Sequence, residues 1–307
     1  MQNVYIFPGQ GSQKIGMGKD FYDNSAIAKE MVEKASERLH MDMASLLFEP
    51  NKKLEQTEFA QPAILLVSMM AFYLFKESYP ATPYALLGHS LGEFSALSAA
   101  GAMDYCDAID LVHQRGLLMK KACKGKNAGM MALLGLDDAT TEALTCEARS
   151  DGKRVWAANY NGDGQIVIAG DKEDLISLEA TFKEAGAKKS VLLAMSVASH
   201  CPLLESAQEP LGGLLAQWLK ESFEAPIISN VTTQGYTSTQ EAKKLLIEQL
   251  TSPVKYKQSI LHVEKNAQMF IEFGGNVLKG LNKRITQKPT HSITDMKSLE
   301  EVLLLLQ

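Results

Sequence analysis

The sequence predicts an α/β protein with a mostly parallel sheet covered by helices on both faces. Short apolar segments alternate with longer amphipathic segments along most of the 307 residues, which is typical of such sheets. A G-x-S-x-G motif at Gly88, Ser90 and Gly92 separates one apolar segment from a helix-forming one. Residues 125–198 depart from the alternation and follow the order β-α-β-β-α-β, the order of a ferredoxin-like unit.

The composition indicates an ordinary globular protein. Its net charge of −5 and pI near 5.8 give no basic footprint for nucleic-acid binding. The longest apolar run, residues 63–75, is too short to span a bilayer and predicts a buried helix. The four cysteines lack metal-ligand spacing, and the start of the chain lacks the basic segment of a secretory signal. We therefore expect a cytoplasmic protein that binds neither nucleic acid, membrane nor metal.

The first predicted strand, residues 4–7, is followed by a turn-rich loop that contains Gln10. Backbone N–H groups of such a loop are able to bind a phosphate or an oxyanion. The loop lacks the Lys-Ser/Thr ending of a phosphate-binding P-loop, which argues against a nucleotide site. A plain connecting turn is an equal alternative for this segment alone. Helices are predicted at residues 26–39 and 61–76.

The second predicted strand, residues 84–87, leads directly to Ser90. A serine on a sharp turn between strand and helix is strained and accessible. The helix that follows, at residues 93–100, directs its positive N-terminal end toward any anion formed on the substrate of this serine. We interpret Ser90 as a nucleophile, with a chance occurrence of the motif in a loop as the alternative.

The next helix begins after Asp104 and runs to about residue 121. Arg115 lies in the apolar stripe of this helix, at i+3 and i+4 spacing from its neighbours. A buried guanidinium without a partner is very costly. Spacing alone favours a salt bridge with an internal carboxylate, and the functional alternative is a bidentate clamp for the carboxylate of a substrate.

The stretch of residues 125–198 supplies its own strands and helices. Strands are predicted at residues 129–136, 155–159, 165–169 and 189–193, and helices at 138–150 and 172–184. Directly after this stretch comes His200, 110 residues beyond Ser90. Among six histidines it is our choice for a general base, because it lies in a loop after a strand. Helices then follow at residues 203–219, 239–250, 254–264, 277–285 and 299–306, and strands at 226–229, 269–273 and 291–293.

Several motifs, in order from Val4 to the last helix, resemble those of the bacterial malonyl-CoA:acyl-carrier-protein transacylases. The motifs are Phe7-Pro8-Gly9-Gln10-Gly11-Ser12-Gln13, Gly88-His89-Ser90-Leu91-Gly92-Glu93, Gln114-Arg115-Gly116 with Met119, Asn159-Tyr160-Asn161, Ser199-His200-Cys201 and Gln249-Leu250 with Pro253-Val254. Each motif alone is moderately specific for that family, and the occurrence of all of them in this order is strongly specific for it.

The resemblance implies a role for the main candidate residues. Ser90 would attack malonyl-CoA and form a malonyl-serine ester, with His200 as the base. The backbone N–H groups of Gln10 and Leu91 would form an oxyanion hole. Arg115 would pair with the malonyl carboxylate.

Three further residues receive roles from the same resemblance. The backbone carbonyl of Gln249 would orient the histidine, in place of the carboxylate of a triad. Asn161 would add a polar contact, and Met119 lies on the carboxylate-binding helix.

The implied function is transfer of malonyl from malonyl-CoA to the phosphopantetheine thiol of holo acyl carrier protein, by a ping-pong mechanism, for fatty acid synthesis. No cofactor or metal is expected to be bound, since the coenzyme A thioester is itself the substrate. The implied architecture is a large α/β-hydrolase-like domain, residues 1–124 and 199–307, with the ferredoxin-like subdomain at 125–198. An acidic carrier predicts a basic docking patch, and the candidates are Lys188, Lys189, Lys279, Lys283 and Arg284.

Three alternatives are open at this point. A serine esterase or thioesterase of the α/β-hydrolase type shares G-x-S-x-G, but usually has a carboxylate between serine and histidine and an HGGG-type loop. A polyketide-pathway acyltransferase is suggested by Val197-Ala198-Ser199-His200, which resembles the form that takes a branched extender unit. A non-catalytic scaffold that retains the fold would be expected to have lost Ser90, His200 or Arg115.

Overall fold

A computed structural model of the chain describes residues 2–195 and 197–307. Met1 and Ser196, which fall in the predicted domain ranges, lie outside the described residues. The strands are β1 Asn3–Phe7, β2 Ala85–Gly88, β3 Ala128–Leu134, β4 Val155–Gly162, β5 Gln165–Asp171, β6 Lys189–Leu192, β7 Ile227–Ile228, β8 Gly235–Tyr236, β9 Met269–Phe273 and β10 Thr290–Ile293.

Helices separate most of these strands. The α-helices are α1 Lys19–Asn24, α2 Ala26–Leu39, α3 Met43–Phe48, α4 Thr57–Ser78, α5 Leu91–Ala99, α6 Tyr105–Ala122, α7 Asp138–Ser150, α8 Lys172–Ser177, α9 Glu179–Glu184, α10 Gln208–Trp218, α11 Thr239–Gln249, α12 Tyr256–Val263, α13 Val277–Asn282 and α14 Met296–Leu305. Short 3-10 helices are found at Lys53–Glu55 and Pro202–Ala207.

The larger sheet has the strand order β10-β9-β1-β2-β7-β8. Its strands pair in parallel, except that β8 runs antiparallel to β7. Val4 pairs with Ala85 and Phe7 with Gly88, so β1 and β2 end at the same edge of the sheet. The prediction of a mixed α/β protein with a mainly parallel sheet is therefore confirmed. This register also places the loop after β1 beside the turn that carries Ser90.

A separate sheet is formed by the strands between residues 128 and 192. It is antiparallel, with the order β4-β5-β3-β6. Its strand β4 is tied to the segment before α12 by two backbone hydrogen bonds, Tyr160 N to Val254 O at 2.9 Å and Val254 N to Ala158 O at 2.8 Å. Two irregularities in β4 interrupt its pairing with β5 next to this contact. The end of β4 is thereby fixed against the larger sheet.

Helix α4 is a long, apolar helix of the protein interior. By length and composition alone it could cross a membrane, but 89% of its most apolar window is buried inside the protein. Its aromatic residues Phe72 and Phe75 pack edge-to-face on Tyr5 of β1, at ring-centroid distances of 6.3 and 5.7 Å. The predicted buried helix at 61–76 is thus extended at both ends and forms the core beneath β1.

Several predicted boundaries differ from those of the structure. Helices α1 and α3 were not predicted, because each has only six residues and too few turns to show a period. The predicted helix at 203–219 is divided into a 3-10 segment and α10. The helix predicted from residue 254 begins at Tyr256, since the backbone of Val254 bonds to β4 instead.

Candidate active site

Ser90 lies on a tight turn between β2 and α5. Its backbone has φ 53° and ψ −103°, a conformation that side-chain-bearing residues rarely adopt. A Cβ atom at Gly92 would collide with the carbonyl oxygen of Phe7, and one at Gly88 would collide with the backbone of Gly92. The two glycines of the motif are therefore required for close backbone approach, and they hold Ser90 at the carboxyl edge of the sheet.

His200 lies between Ser90 and the end of helix α11. Its Nε2 is 2.8 Å from Ser90 Oγ, and its Nδ1 is 2.7 Å from the carbonyl oxygen of Gln249. Because that carbonyl only accepts, the Nδ1 carries the proton, and Nε2 accepts from the serine hydroxyl. Burial, and then the charge of Arg115, lower the pKa of His200 to about 3. The imidazole is therefore neutral at physiological pH.

Arg115 extends from α6 into the same site and is only 1% exposed. Its Nη2 donates to Ser90 Oγ at 3.2 Å and to Gln249 Oε1 at 3.1 Å, and its Nη1 donates to Gln61 Oε1 at 2.7 Å. The guanidinium lies 5.1 Å from the ring centroid of Phe94. Burial lowers the pKa of Arg115 to about 10, so it stays charged at neutral pH.

The partners of Arg115 leave part of its charge uncompensated. Its Nε is buried and has no hydrogen-bond partner among the described residues. Within the same residues no carboxylate oxygen lies within 4.0 Å of the guanidinium. The internal salt bridge that spacing alone favoured is therefore not what the structure contains, and the site is electrostatically suited to an anionic ligand.

The backbone N–H groups of Gln10 and Leu91 also suit the binding of a negatively charged group. In residues 2–195 and 197–307, neither N–H donates to an internal acceptor, and both residues line the cleft at Ser90. The side chain of Gln10 is held apart from its backbone, because its Oε1 accepts from Thr57 Oγ1 at 2.8 Å. That hydroxyl in turn accepts from Gln61 Nε2 at 2.8 Å. Two backbone donors thus lie in the segments that follow β1 and β2, beside Ser90.

Asn161 and Met119 are also brought to the cleft. The Oδ1 of Asn161 accepts from His89 Nε2 at 2.7 Å, so Asn161 fixes the imidazole ring of the residue that precedes Ser90. The Sδ of Met119 lies 3.5 Å from Gln61 Nε2, on the wall beside Arg115. Neither residue contacts Ser90 directly through a hydrogen bond within the described chain.

A buried polar network beneath the turn was missed by the sequence analysis. Asn230 accepts from Ser90 N at 2.7 Å and donates to Gly88 O at 2.7 Å, so it braces both sides of the turn. Glu93 accepts from Gln249 Nε2 at 2.8 Å, Asn230 N at 3.1 Å and Tyr236 Oη at 3.0 Å. One signal was present: Asn230 follows β7, which ends at the same sheet edge as β2.

The cleft around Ser90, hereafter the Ser90 cleft, has a volume of about 250 Å³. It lies between the large sheet and the antiparallel sheet, and its lining is Gln10, Gln61, His89, Ser90, Leu91, Arg115, Met119, Met130, Ala132, Asn159, Asn161, Gln165, Val167, Leu193, Met195, Ser199 and His200. Among the described residues, no three His, Cys, Asp or Glu side chains are grouped as metal ligands would be.

Three of the five predicted basic residues line one surface depression. Lys188, Lys189 and Arg284 surround a depression of about 700 Å³ at the edge of the antiparallel sheet. Arg284 Nη1 donates to Gln165 Oε1 at 3.2 Å, and Gln165 also lines the Ser90 cleft. Lys283 is exposed on the neighbouring segment, and Lys279 is half-buried. Arg284 therefore links this basic depression, which Asp163 also lines, to a wall residue of the cleft.

Comparisons with known proteins place the chain in a family. The acyl transferase domain family matches residues 4–302. The chain is 38% identical to the malonyl CoA-acyl carrier protein transacylase of Bacillus subtilis (strain 168), over 97% of this chain and 95% of that protein.

Solved structures are similar over the whole length. The crystal structure of malonyl-CoA:acyl carrier protein transacylase from Helicobacter pylori has a TM-score of 0.97 and 47% identity, covering 100% of this chain and 98% of that one. A type II PKS acyl-carrier protein in complex with its malonyl-transacylase gives a TM-score of 0.95 at 33% identity, covering 99% of this chain and 100% of that chain. From its match over residues 4–302 and these full-length relatives, the chain belongs to the acyl transferase family and, within it, to the malonyl CoA-acyl carrier protein transacylases.

Proposed function

We propose that this enzyme transfers malonyl from malonyl-CoA to holo acyl carrier protein for fatty acid synthesis, by a ping-pong mechanism through a malonyl ester on Ser90. The observation that carries the proposal is the position of Ser90 Oγ, which lies between the neutral His200 Nε2 and the cationic Arg115 Nη2. A nucleophile with a base on one side and a fixed cation on the other suits an acyl group that ends in a carboxylate.

The first half-reaction loads the serine. His200 Nε2 takes the hydroxyl proton while Ser90 Oγ attacks the thioester carbonyl carbon. The backbone N–H groups of Gln10 and Leu91 stabilise the oxyanion of the tetrahedral intermediate. Its collapse breaks the carbon–sulfur bond, and the proton on His200 passes to the departing coenzyme A thiolate. The products are coenzyme A and the malonyl-serine ester.

The second half-reaction discharges the ester onto the carrier. The phosphopantetheine thiol gives its proton to His200 Nε2 and attacks the ester carbonyl, and Ser90 Oγ leaves and recovers the proton. Throughout both steps the carbonyl of Gln249 accepts from Nδ1–H and keeps the reactive tautomer of His200. The coenzyme A thioester is a substrate, and the proposal involves no bound cofactor or metal.

Arg115 has two functions in this proposal. Its guanidinium pairs with the free malonyl carboxylate and so orients the acyl group over Ser90. In the free enzyme its charge also contributes to the lowered pKa of His200. A carboxylate bound to Arg115 offsets that charge, so we expect His200 to become a stronger base when malonyl is bound than when acetyl is bound.

Two neighbouring residues of the Ser90 cleft complete the proposal. Asn161 holds His89 against the cleft wall, and Met119 forms part of the apolar wall beside the bound acyl chain. We assign both a supporting role, because their hydrogen bonds reach the nucleophile only through neighbours.

The acyl carrier protein is proposed to dock on the basic depression formed by Lys188, Lys189 and Arg284. The basic side chains of this depression would complement an acidic carrier, although the chain as a whole has a net charge of −5. The contact from Arg284 to Gln165 connects the depression to the cleft wall, which supports a docking position from which a phosphopantetheine arm would reach Ser90.

The architecture and location form part of the same proposal. We assign residues 1–124 and 199–307 to a large α/β-hydrolase-like domain and residues 125–198 to a ferredoxin-like subdomain. The strand order β4-β5-β3-β6 supports the assignment of the ferredoxin-like subdomain, as do the helices that follow β3 and β5 along the chain. All four cysteines are free thiols, which supports a reducing, cytoplasmic location.

Initial rates test the mechanism when malonyl-CoA and holo carrier protein are varied together. A ping-pong enzyme gives parallel lines in double-reciprocal plots, and intersecting lines would contradict the acyl-serine route. An esterase would release coenzyme A at the same rate without carrier and leave the carrier uncharged. A polyketide-pathway acyltransferase with branched specificity would prefer methylmalonyl-CoA in the same assay.

A further inference from the structure

Glu93 is a buried carboxylate that the proposed chemistry does not use. It lies three residues after the nucleophile, is 1% exposed and has no contact with the Ser90 cleft. Its Oε2 accepts from Gln249 Nε2 at 2.8 Å and Asn230 N at 3.1 Å, while Oε1 accepts from Tyr236 Oη at 3.0 Å. A buried carboxylate costs considerable desolvation energy unless fully paired, so its place next to Gln249 calls for a function.

The side chain of Gln249 connects Glu93 to Arg115, the residue proposed to bind the malonyl carboxylate. The Nε2 of Gln249 donates to Glu93 Oε2 and to Ser90 O, the latter at 3.1 Å, and its Oε1 accepts from Arg115 Nη2 at 3.1 Å. If this amide turned over, its NH₂ would face a guanidinium that only donates. Its oxygen would then face a carboxylate that accepts. Glu93, together with the carbonyl oxygen of Ser90, therefore determines which end of Gln249 faces Arg115.

We propose that Glu93 is a positioning residue that acts through the side-chain amide of Gln249 to hold Arg115 beside Ser90, and thereby sets the preference for acyl groups with a free carboxylate. The inference rests on the proposed function, and it adds a residue to that function. Glu93 has no contact with the acyl group, so we expect it to act on selectivity through Gln249 and Arg115. Its separate contact with Asn230 N is kept in the Glu93→Gln variant described below. The serine–histidine pair is retained.

Two substitutions separate this role from a general effect on folding. Glu93→Gln keeps an oxygen that accepts from Gln249 Nε2 and Asn230 N, and its NH₂ donates to the Tyr236 hydroxyl, which also accepts. Glu93→Met has similar length and no carboxylate, so the amide of Gln249 keeps Ser90 O but loses the nearer of these two acceptors. Tyr236→Phe is the matched control, because it removes the contact from Tyr236 to Glu93 and leaves those from Gln249 and Asn230 intact.

The experiment is a competition between malonyl-CoA and acetyl-CoA for Ser90, measured by intact mass of the acyl-enzyme. We expect Glu93→Met to lower the malonyl-to-acetyl ratio at least about tenfold while acetyl loading stays within about threefold of wild type. Glu93→Gln and Tyr236→Phe should keep the wild-type ratio within about twofold. The loss in Glu93→Met should lie in the KM for malonyl-CoA rather than in kcat.

Three results would overturn the inference: an unchanged ratio in Glu93→Met, an equal loss of both acyl groups, or a Glu93→Gln variant as unselective as Glu93→Met. If Glu93→Met does not fold, Glu93→Asp replaces it, because it keeps the charge and withdraws the oxygen from Gln249. A several-fold lower ratio then supports the inference, and a wild-type ratio overturns it. A wild type that takes up no malonyl would overturn the proposed function itself, a distinct result.

Discussion

Arg115 donates a hydrogen bond from Nη2 to the Oγ of Ser90 over 3.2 Å, so the proposed nucleophile and a buried cation share one site. Elsewhere in the described chain, Arg38 pairs with Asp107 and Arg154 with Asp171 near the surface. The guanidinium of Arg115 instead meets only neutral partners, and a malonyl carboxylate would provide the missing negative charge.

Replacement of Arg115 by alanine should abolish the preference for malonyl. We expect malonyl loading to fall by about 100-fold or more, because the carboxylate would enter a buried site with no cation. Acetyl loading should stay within about tenfold, since Ser90 and His200 keep their contact. Loading rates for both thioesters measure the effect. Arg38→Ala is the surface control and should change neither rate, whereas equal loss of both substrates in Arg115→Ala would contradict the clamp.

The pH dependence of serine loading should reflect the depressed pKa of His200. Because burial and Arg115 lower that pKa to about 3, the base stays unprotonated down to about pH 5. We therefore expect kcat/KM for malonyl loading to stay flat between pH 5 and 8 as far as His200 is concerned. In Arg115→Ala, the acidic limb of the pH profile of kcat/KM, measured with acetyl-CoA, should move to higher pH. A wild-type limb centred near pH 6.5 would contradict this arrangement.

Local patterns predicted much of the fold. Helices α2 and α7 and strand β9 coincide with their predicted ranges, since each has clear periodicity and a capping or turn residue at its ends. Very short elements such as β8, with two residues, carry no such signal. Their formation depends on pairing with β7, which is a tertiary contact.

The site was predictable only where a residue carries its own chemical signal. Ser90 and Arg115 stood out because a motif or a misplaced charge marked them. Gln61, Asn230 and Glu93 had no such mark, since their importance comes from partners far away in sequence. Arg115 lies 54 residues from Gln61, and Ser90 lies 140 from Asn230. Only the packing of α4, α6 and β7 at one sheet edge brings these side chains together.

The buried carboxylate of Glu93 should make stability depend on pH. Burial raises its pKa from an ordinary 4.5 to about 7, so folding favours the protonated form. Its contribution is complete below about pH 4.5 and is lost as the pH rises through 7, by up to about 3 kcal/mol. Relative to Glu93→Gln, the free energy of unfolding of the wild type should therefore fall between pH 5 and pH 8. Urea titrations of both proteins measure it, and a constant difference would contradict the prediction.

The turn at Ser90 should tolerate no side chain at Gly92. Alanine there would meet the carbonyl oxygen of Phe7, and we expect a loss of at least about 2 kcal/mol in unfolding free energy. Gly213, exposed in α10 with no atom near its added Cβ, is the matched control. Gly213→Ala should be neutral or stabilise by up to about 1 kcal/mol. Similar effects at both positions would show that the close approach at Gly92 is unimportant.

The most direct measurement is the intact mass of the protein after incubation with malonyl-CoA, followed by addition of holo acyl carrier protein. The account predicts one malonyl adduct on the wild type and none on Ser90→Ala. It also predicts that the carrier removes the adduct and gains the same mass. An adduct that persists on Ser90→Ala, or coenzyme A release that never charges the carrier, would contradict the central claim that Ser90 carries the malonyl group between the two thiols.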